Sequence, residues 1–213
     1  MLKLSEQCEI LHNLFNSVKR YNYKTGFEGI PKNGIYIMFE SGEKAHGGDR
    51  IVRIGTHTGN NQLQSRIRQH FLNESKNRSI FRKNIGRCLL AEREYSDKWE
   101  YDITSRENKA KYLSLLDLEF EKIIEKQISE YIRKNLSFAI IPLVDKTNRL
   151  RIEVGLISTI SLCTECKASV LWLGMKSPKN KIRESGLWQV NELWGEPLSE
   201  QELKIIEKAI VIK

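Results

Sequence analysis

The sequence has no long hydrophobic run, no internal repeat and no low-complexity tract. No apolar stretch approaches the roughly 18 residues that span a bilayer, so the sequence predicts no transmembrane helix. The N-terminal residues mix charged side chains into their apolar positions, which excludes the hydrophobic core of a signal peptide. We therefore expect a cytoplasmic protein that does not act on a membrane.

Cysteine is also scarce, with four residues in 213. Cys8 and Cys88 stand alone, whereas Cys163 and Cys166 form a single C-x-x-C motif. A zinc site usually requires a second pair of Cys or His at matching spacing, and no such pair follows in the sequence. We expect reduced thiols that are partly packed in a core, and a redox role for the pair is the weaker alternative.

The charge is unevenly distributed along a chain whose net charge is +8. Between residues 53 and 87, eight basic residues face one acidic residue, Glu74, so this basic block carries most of the excess. A concentrated positive charge attracts polyanions, but a solvated basic face without a partner gives the same pattern. Both interpretations stay open on charge alone. The basic residues of the block are Arg53, Arg66, Arg68, Lys76, Arg78, Arg82, Lys83 and Arg87.

Hydrophobic periodicity predicts an α+β protein, in which a small sheet is covered by helices. Helical spacing predicts helices over residues 4–18, 62–72, 78–90, 107–134, 150–160 and 200–210. Short apolar runs predict strands over 34–40, 50–55 and 137–144, with a hairpin connection over 41–49, a turn over 145–149 and irregular chain over 172–195.

One acidic residue falls where the predicted helix over 150–160 is apolar. The apolar side chains of this helix cover an arc of about 200°, and Glu153 lies near its middle when residues step by about 100°. A carboxylate is rarely buried unless it is paired or binds a cation. A salt bridge to a buried arginine and a metal ligand or general base in a cleft are the two alternatives, and both stay open here.

The helix over 62–72 carries a second polar feature. Arg66 and His70 are four residues apart and form a stripe beside the apolar positions, whereas Arg68 points elsewhere. An Arg–His pair at the edge of a core is able to hold a phosphate. A half-exposed polar margin is the more common role of such a pair, so this observation only ranks Arg66 above Arg68.

Three ordered elements together resemble the GIY-YIG nuclease superfamily. They are Gly34-Ile-Tyr36, a second strand that ends Val52-Arg-Ile-Gly55, and the helix Leu63-Gln-Ser-Arg66-Ile-Arg-Gln-His70-Phe71. Members of this superfamily, which include homing endonucleases, a repair nuclease and some type II restriction enzymes, also carry a metal-binding Glu on a later helix. Glu153 is similar to that position, and the resemblance covers about residues 30–161.

The resemblance implies a fold and a chemistry. The fold is a small antiparallel three-stranded sheet flanked by helices. Tyr36 would accept a proton from the attacking water, Arg66 would stabilise the transition state, and His70 would support one of them. Glu153 would bind Mg²⁺ or Mn²⁺, and DNA would be the substrate. Candidate contacts to the DNA backbone are Arg68, Arg78, Arg82, Lys83 and Arg87.

The sequence departs from the superfamily pattern at two points. Arg53 occupies the position of the usual second tyrosine, and a guanidinium cannot act as a base. We expect Arg53 to hold a phosphate or to favour the phenolate of Tyr36 by its charge. The superfamily often has an Asn soon after the Glu, but Asn180 and Asn191 are the nearest downstream and neither is well placed in the sequence.

The predicted organisation is a helix and loop over 1–29, a nuclease core over 30–161 and an extension over 162–213 that packs on the core. This leaves little room for a separate DNA-binding domain, so we expect a standalone type II restriction or defence nuclease. A catalytically inactive basic module that binds nucleic acid is the alternative, with Arg53 marking a decayed site. The sequence does not give the oligomeric state, and a homodimer is one possibility.

Overall fold

The computed structural model describes residues 3–91 and 93–211, so the outermost residues of the two predicted terminal segments lie outside the described chain. Its sheet has four antiparallel strands, β1 (Tyr21–Asn22), β2 (Ile35–Ala45), β3 (Gly48–Gly55) and β4 (Leu136–Ile141), in the order β1-β4-β2-β3. The α+β class is confirmed, but the expected count of three strands is wrong. The missed strand, β1, has two residues, which is too short to show an alternating pattern.

The β2–β3 hairpin is longer than the sequence predicts. Its turn consists of His46 and Gly47, whose φ angles of +48° and +75° lie in the left-handed region. The expected connection over 41–49 is therefore mostly strand, with a bulge between Phe39 and Lys44. Across the hairpin, Tyr36 pairs with Gly55 and Met38 pairs with Arg53. Since paired residues share a face of the sheet, Tyr36 and Arg53 point to the same side.

The helices surround this sheet. They are α1 (Leu4–Ser17), α2 (Leu63–Phe71), α3 (Ile80–Leu89), α4 (Arg106–Tyr112), α5 (Leu118–Asn135), α6 (Lys146–Leu162), α7 (Asn180–Ser185) and α8 (Glu200–Val211).

Two of these boundaries correct the expectations from periodicity. The single helix expected over 107–134 is broken into α4 and α5, because the Asp117 side chain accepts a hydrogen bond from Phe120 N–H and caps a new helix. Helix α6 begins within the expected turn, because Asp145 caps it by accepting from Asn148 N–H. A short polar side chain at such a position stabilises a helix start by about 1 kcal/mol.

Each face of the sheet carries its own hydrophobic core. On one face Ile37 and Phe39 pack with residues of α1, α6 and α8. On the other face Tyr36, Met38 and Phe138 pack with residues of α2, α3 and α5. The alternation along β2 thus places Tyr36 on the side of α2, which carries Arg66 and His70.

Residues after α7 cover the free edge of β3. Trp188 N–H donates to the Val52 carbonyl at 2.8 Å, and the Gln189 side chain accepts from Ile54 N–H at 2.8 Å. This contact protects an edge strand that would otherwise expose unpaired backbone groups. It also brings the chain after Gln189 next to β3. The division of the chain at residues 29 and 161 stays a prediction.

Within the described residues, no helix is both long enough and apolar enough to cross a bilayer.

Candidate active site

A cleft opens where the ends of β2 and β3 meet α2 and α6. Tyr36, Arg53, Arg66 and Glu153 line one cavity of ≈ 380 Å³. Arg66 and Glu153 also line a neighbouring cavity of ≈ 380 Å³, so the two form one continuous cleft. Four residues that are far apart in sequence are therefore brought together in one cleft.

Tyr36 is held in the wall of the cleft by a chain of hydrogen bonds. Its hydroxyl lies 2.9 Å from Nε2 of His70, and Nδ1 of His70 lies 2.8 Å from the Ser79 hydroxyl. Tyr36 is 1% exposed and His70 is fully buried. Ser79 carries no sequence signal of this role, because only folding brings it next to His70; the same oxygen also caps α3 by accepting from Arg82 N–H.

The two glycines of the motif have steric roles. A Cβ at Gly55 would lie 2.2 Å from the Tyr36 hydroxyl oxygen, and one at Gly34 would lie 2.4 Å from the Ile141 carbonyl oxygen. Real Cβ atoms do not approach other atoms so closely. Gly55 therefore leaves the space that the Tyr36 ring occupies, and Gly34 lets β4 pass close to β2.

His70 is neutral in the folded protein near pH 7. Burial lowers its pKa well below the ordinary value, and the positive charges of Arg53, Arg66 and Arg82 lower it further. A neutral imidazole carries one N–H, so one ring nitrogen donates and the other accepts.

Arg53 is an almost buried cation without a carboxylate partner among the described residues. It is 6% exposed, its Nη1 donates to the Trp188 carbonyl, and its Nε has no hydrogen-bond partner. The guanidinium lies 5.0 Å from the centre of the Phe81 ring. A buried charge without a counter-ion is costly, and a bound anion would offset that cost.

Arg66 projects from α2 into the same cleft. Its Nη1 donates to the Gln69 side chain at 3.0 Å and approaches the Arg78 carbonyl at 3.5 Å. Both partners are neutral, and no ion pair to Arg66 occurs in the described part of the chain. The full charge of Arg66 is therefore available to a ligand in the cleft.

Glu153 lies half-buried on α6, opposite the two arginines. One carboxylate oxygen accepts a hydrogen bond from Thr56 N–H at 2.9 Å, at the end of β3. Burial raises its pKa above the ordinary value, while the Thr56 bond and the charges of Arg53 and Arg66 act in the opposite direction. No ion pair to Glu153 is found among residues 3–91 and 93–211, so the salt-bridge alternative is not what the structure contains.

The comparison with protein families decides the membership of the chain. The profile of a family described as the GIY-YIG domain matches residues 3–212, which is nearly the whole sequence. The chain belongs to the GIY-YIG family. Neither a curated protein nor a solved structure matches it significantly.

Membership has general consequences for this GIY-YIG protein. The family is one of nucleases, so endonuclease activity is its general expectation and DNA its general substrate. GIY-YIG nucleases generally depend on a divalent metal. The match also extends beyond residues 30–161, over which the three motifs were recognised in the sequence.

Part of the cleft is lined by polar residues that the sequence analysis did not predict. They belong to the segment that follows Trp188, the residue that pairs with the edge of β3. Gln189, Asn191 and Glu192 line the cavity together with Glu153. Asn191, which its spacing in the sequence did not favour as the equivalent of the family's late Asn, thus lies at the cleft. The number of residues between Glu153 and Asn191 does not show that the two share a cavity. The position of this segment is set by the backbone hydrogen bond from Trp188 N–H to the Val52 carbonyl.

Half of the basic block, including Lys76, is paired with acidic residues from elsewhere in the GIY-YIG chain. Arg82 is fully buried and donates to Glu125 at 2.7 Å and 3.0 Å. Arg87 donates to both oxygens of Glu100 at 2.6 Å, and Lys83 lies 3.4 Å from the same carboxylate. These three expected DNA contacts are thus engaged in internal pairs, and Arg82 is out of reach of a duplex.

The remaining two expected DNA contacts, Arg68 and Arg78, are exposed. Neither side chain forms an ion pair within the described residues. Arg78 follows α2 and offers its carbonyl to Arg66. The basic residues of the block that have no ion pair among the described residues are therefore Arg53 and Arg66, which line the cleft, and the exposed Arg68 and Arg78.

Proposed function

We propose that this protein is a divalent-metal-dependent DNA endonuclease that hydrolyses phosphodiester bonds in the cleft between α2 and α6. One observation carries the proposal: Arg53, Arg66 and Glu153 line a single cavity, and none of them has an ionic partner in the described chain. Charges of both signs left without partners are costly in a folded protein. A phosphate together with a cation would compensate both signs at once.

Tyr36 is the proposed general base. Tyr36 lines the cavity, and its hydroxyl contacts Nε2 of His70, whose neutral ring either accepts a hydrogen bond from the hydroxyl or donates one to the tyrosine oxygen. Arg53, on the same face of the sheet, lines the same cavity and would bind a phosphate with its planar guanidinium. This retains the family's use of Tyr36 and assigns a role to the residue that departs from the motif.

Arg66 is the proposed stabiliser of the transition state. Its guanidinium is directed into the cleft and contacts only neutral groups. A cation that is already in position where negative charge develops lowers the barrier most, because no reorganisation is needed during the reaction. A planar guanidinium also binds two phosphate oxygens at once.

Glu153 is the proposed metal ligand. The residues present fit a hard divalent cation. The Glu153 carboxylate has one oxygen oriented by Thr56 N–H and no ion pair within the described residues, and Asn191 and Glu192 line the same cavity. Mg²⁺ and Mn²⁺ prefer such oxygen ligands. When bound, either ion would supply positive charge to the oxygen of the leaving group. Glu192 also raises the pKa of Glu153 by like-charge repulsion, which a cation would relieve.

The proposed contacts to the DNA backbone are now limited to Arg68 and Arg78. Both are exposed and unpaired within the described residues, close to the cleft that Arg66 enters. Contacts to phosphate orient a duplex without reading its sequence. A role in restriction or defence, a homodimeric state and a cytoplasmic location stay predictions from the sequence.

Cleavage of supercoiled plasmid tests this proposal. We expect wild type to nick or linearise plasmid with Mg²⁺ and to stop with EDTA. Glu153→Gln should lose cleavage but keep DNA binding in a gel-shift assay, since the amide oxygen still accepts from Thr56. Glu196→Gln is the control, because Glu196 is exposed and contacts Arg151.

Two outcomes would overturn parts of the proposal. A Glu153→Gln variant that cuts at nearly the wild-type rate would refute the assignment of the metal ligand. A wild type that binds DNA but never cuts it, with Mg²⁺ or Mn²⁺, would support the alternative of an inactive nucleic-acid-binding module. Sequencing the ends of cleaved plasmid would then define the recognition site of an active enzyme.

A further inference from the structure

Three cysteines and a histidine meet near the turn of the β2–β3 hairpin, on the face of the sheet that α1, α6 and α8 cover. Cys8 lies on α1, His46 lies in the turn of the β2–β3 hairpin, and Cys163 and Cys166 follow α6. Their three Sγ atoms and one imidazole nitrogen all lie within 4.8 Å of one another. The C-x-x-C motif therefore has the second pair of ligands that its sequence neighbourhood lacks.

The cluster is closed off from solvent. Cys8, Cys163 and Cys166 are buried, and the side chain of His46 is 4% exposed. Cys8 Sγ lies 3.2 Å from Cys166 Sγ, and Cys163 Sγ lies 3.5 Å from Nε2 of His46. All four cysteines of the protein are free, so no two members of the cluster are joined in a disulfide. Two of the thiols also contact His12, at 3.6 Å from Cys8 Sγ and 3.8 Å from Cys166 Sγ. Thiols are weak hydrogen-bonding groups, but as thiolates they are strong ligands for a shared cation.

A carboxylate next to His46 orients its ring as in known metal sites. Nδ1 of His46 lies 4.0 Å from the Glu165 carboxylate, which leaves Nε2 directed at the thiols. Metal-binding histidines usually direct their other nitrogen to a carboxylate or a carbonyl in this way. The adjacent His12 is not a ligand, because its Nδ1 lies 3.0 Å from the Cys8 carbonyl and its Nε2 accepts from Ile51 N–H.

We propose that Cys8, His46, Cys163 and Cys166 bind one zinc ion in a structural site. Three thiolates and one imidazole are a ligand set for tetrahedral zinc, and a set of four protein ligands leaves no open position for catalysis. The ion would tie α1 and the hairpin turn to the end of α6, the helix that carries Glu153. The site is separate from the proposed nuclease centre, because His46 lies in the turn of the β2–β3 hairpin and the cleft lies at the opposite end of the same hairpin, at Tyr36 and Gly55.

Metal analysis of the purified full chain tests the proposal. We expect about one zinc per chain in wild type. The Cys163→Ser/Cys166→Ser double variant should lose this zinc. Two controls should retain it: Cys88→Ser, which removes a buried thiol outside the cluster, and Glu153→Gln, which alters the proposed catalytic metal ligand.

A second measurement on wild type does not depend on whether the variants fold. Protein stripped of metal and reloaded with Co²⁺ should show thiolate-to-cobalt charge-transfer absorption and the strong visible bands of a tetrahedral site. A wild type that neither contains zinc nor takes up Zn²⁺ or Co²⁺ would overturn the proposal. So would a denatured, chelated wild type with fewer than four reactive thiols, since that would reveal a disulfide, or a double variant that keeps its zinc.

Discussion

The Tyr36 hydroxyl lies 2.9 Å from Nε2 of His70, whose Nδ1 in turn lies 2.8 Å from the Ser79 hydroxyl. Ser79 is able to donate or accept, so the neutral ring has two satisfied arrangements. In one, Nε2 accepts a hydrogen bond from the tyrosine hydroxyl; in the other, Nε2 donates one to the tyrosine oxygen. The chain of three residues therefore stabilises both the phenol and the phenolate, as a group that repeatedly accepts and releases a proton requires.

Tyr36→Phe removes the hydroxyl and leaves the ring in place. We expect the single-turnover rate of plasmid cleavage to fall by at least about a hundredfold, the usual contribution of a general base. Tyr23→Phe is the matched control, because Tyr23 is 42% exposed. A loss below about tenfold in Tyr36→Phe would rule out the proposed base, since a positioned base contributes more than that.

Gly55→Ala tests the steric relationship in the same site. The added Cβ would lie 2.2 Å from the Tyr36 hydroxyl oxygen, so the packed ring must move away from His70. We expect a large loss of cleavage and a destabilisation of about 1–3 kcal/mol, as for other overpacked cores. At Gly59 an added Cβ would meet only the exposed Gln62 side chain, so Gly59→Ala is the control. Full activity in Gly55→Ala would show that the position of Tyr36 is not critical.

Some residues of the candidate site could be predicted from the sequence, because the pattern of their neighbours within one helix or strand singles them out. Tyr36 follows a strand pattern, Arg66 and His70 share a helical stripe, and Glu153 interrupts an apolar arc. Each of these signals depends on neighbours within one element, whose periodicity is visible in sequence. The family match over residues 3–212 is consistent with this motif-based resemblance.

The remainder depends on contacts between distant parts of the chain. Arg82 was expected on DNA but pairs with Glu125, and Asn191 reaches the cleft only because the preceding chain covers the β3 edge. His46 and Cys8 complete the cysteine cluster from separate elements. The net charge of a sequence segment does not include acidic partners that only folding brings close. In the same way, the spacing of metal ligands along the sequence does not include ligands from distant elements.

Arg66→Ala should lower the single-turnover rate by at least about a hundredfold, the scale of losing one stabilising donor. Arg68→Ala, two positions along the same helix, is the matched control, because Arg68 is exposed and outside the cleft lining. We expect Arg68→Ala to weaken binding at higher salt with little change in the rate of bound DNA. The opposite pattern would mean that Arg68 is the catalytic arginine.

The buried His70 should make the protein sensitive to acid. Its pKa lies below the ordinary 6.5, so below that pH the unfolded chain binds a proton that the folded protein does not. Stability from this residue is therefore complete above about pH 6.5 and falls with decreasing pH, by up to about 1.4 kcal/mol per pH unit. Denaturant unfolding from about pH 7 to about pH 5 should show a steeper loss in wild type than in His70→Gln. Equal slopes would exclude His70 as the source.

Arg53 departs from the family motif, and its environment predicts the effect of restoring that motif. Its Nε is buried without a partner and its Nη1 donates to the Trp188 carbonyl, so the guanidinium is held in the cleft with its charge uncompensated. Arg53→Tyr would remove this charge from beside Tyr36, and we expect lower activity. Arg53→Lys should retain part of the activity, because the ammonium keeps the charge but loses the planar fork that binds two oxygens.

The three Arg53 forms should be compared on one plasmid at fixed Mg²⁺, with melting temperatures to detect misfolding. The predicted order of rates is Arg, then Lys, then Tyr. That order would mean that the chain depends on a cation where its family usually has a tyrosine. An active wild type with a more active Arg53→Tyr variant would refute the catalytic role of Arg53. An inactive wild type whose activity returns in Arg53→Tyr would instead identify position 53 as the site of a lost function.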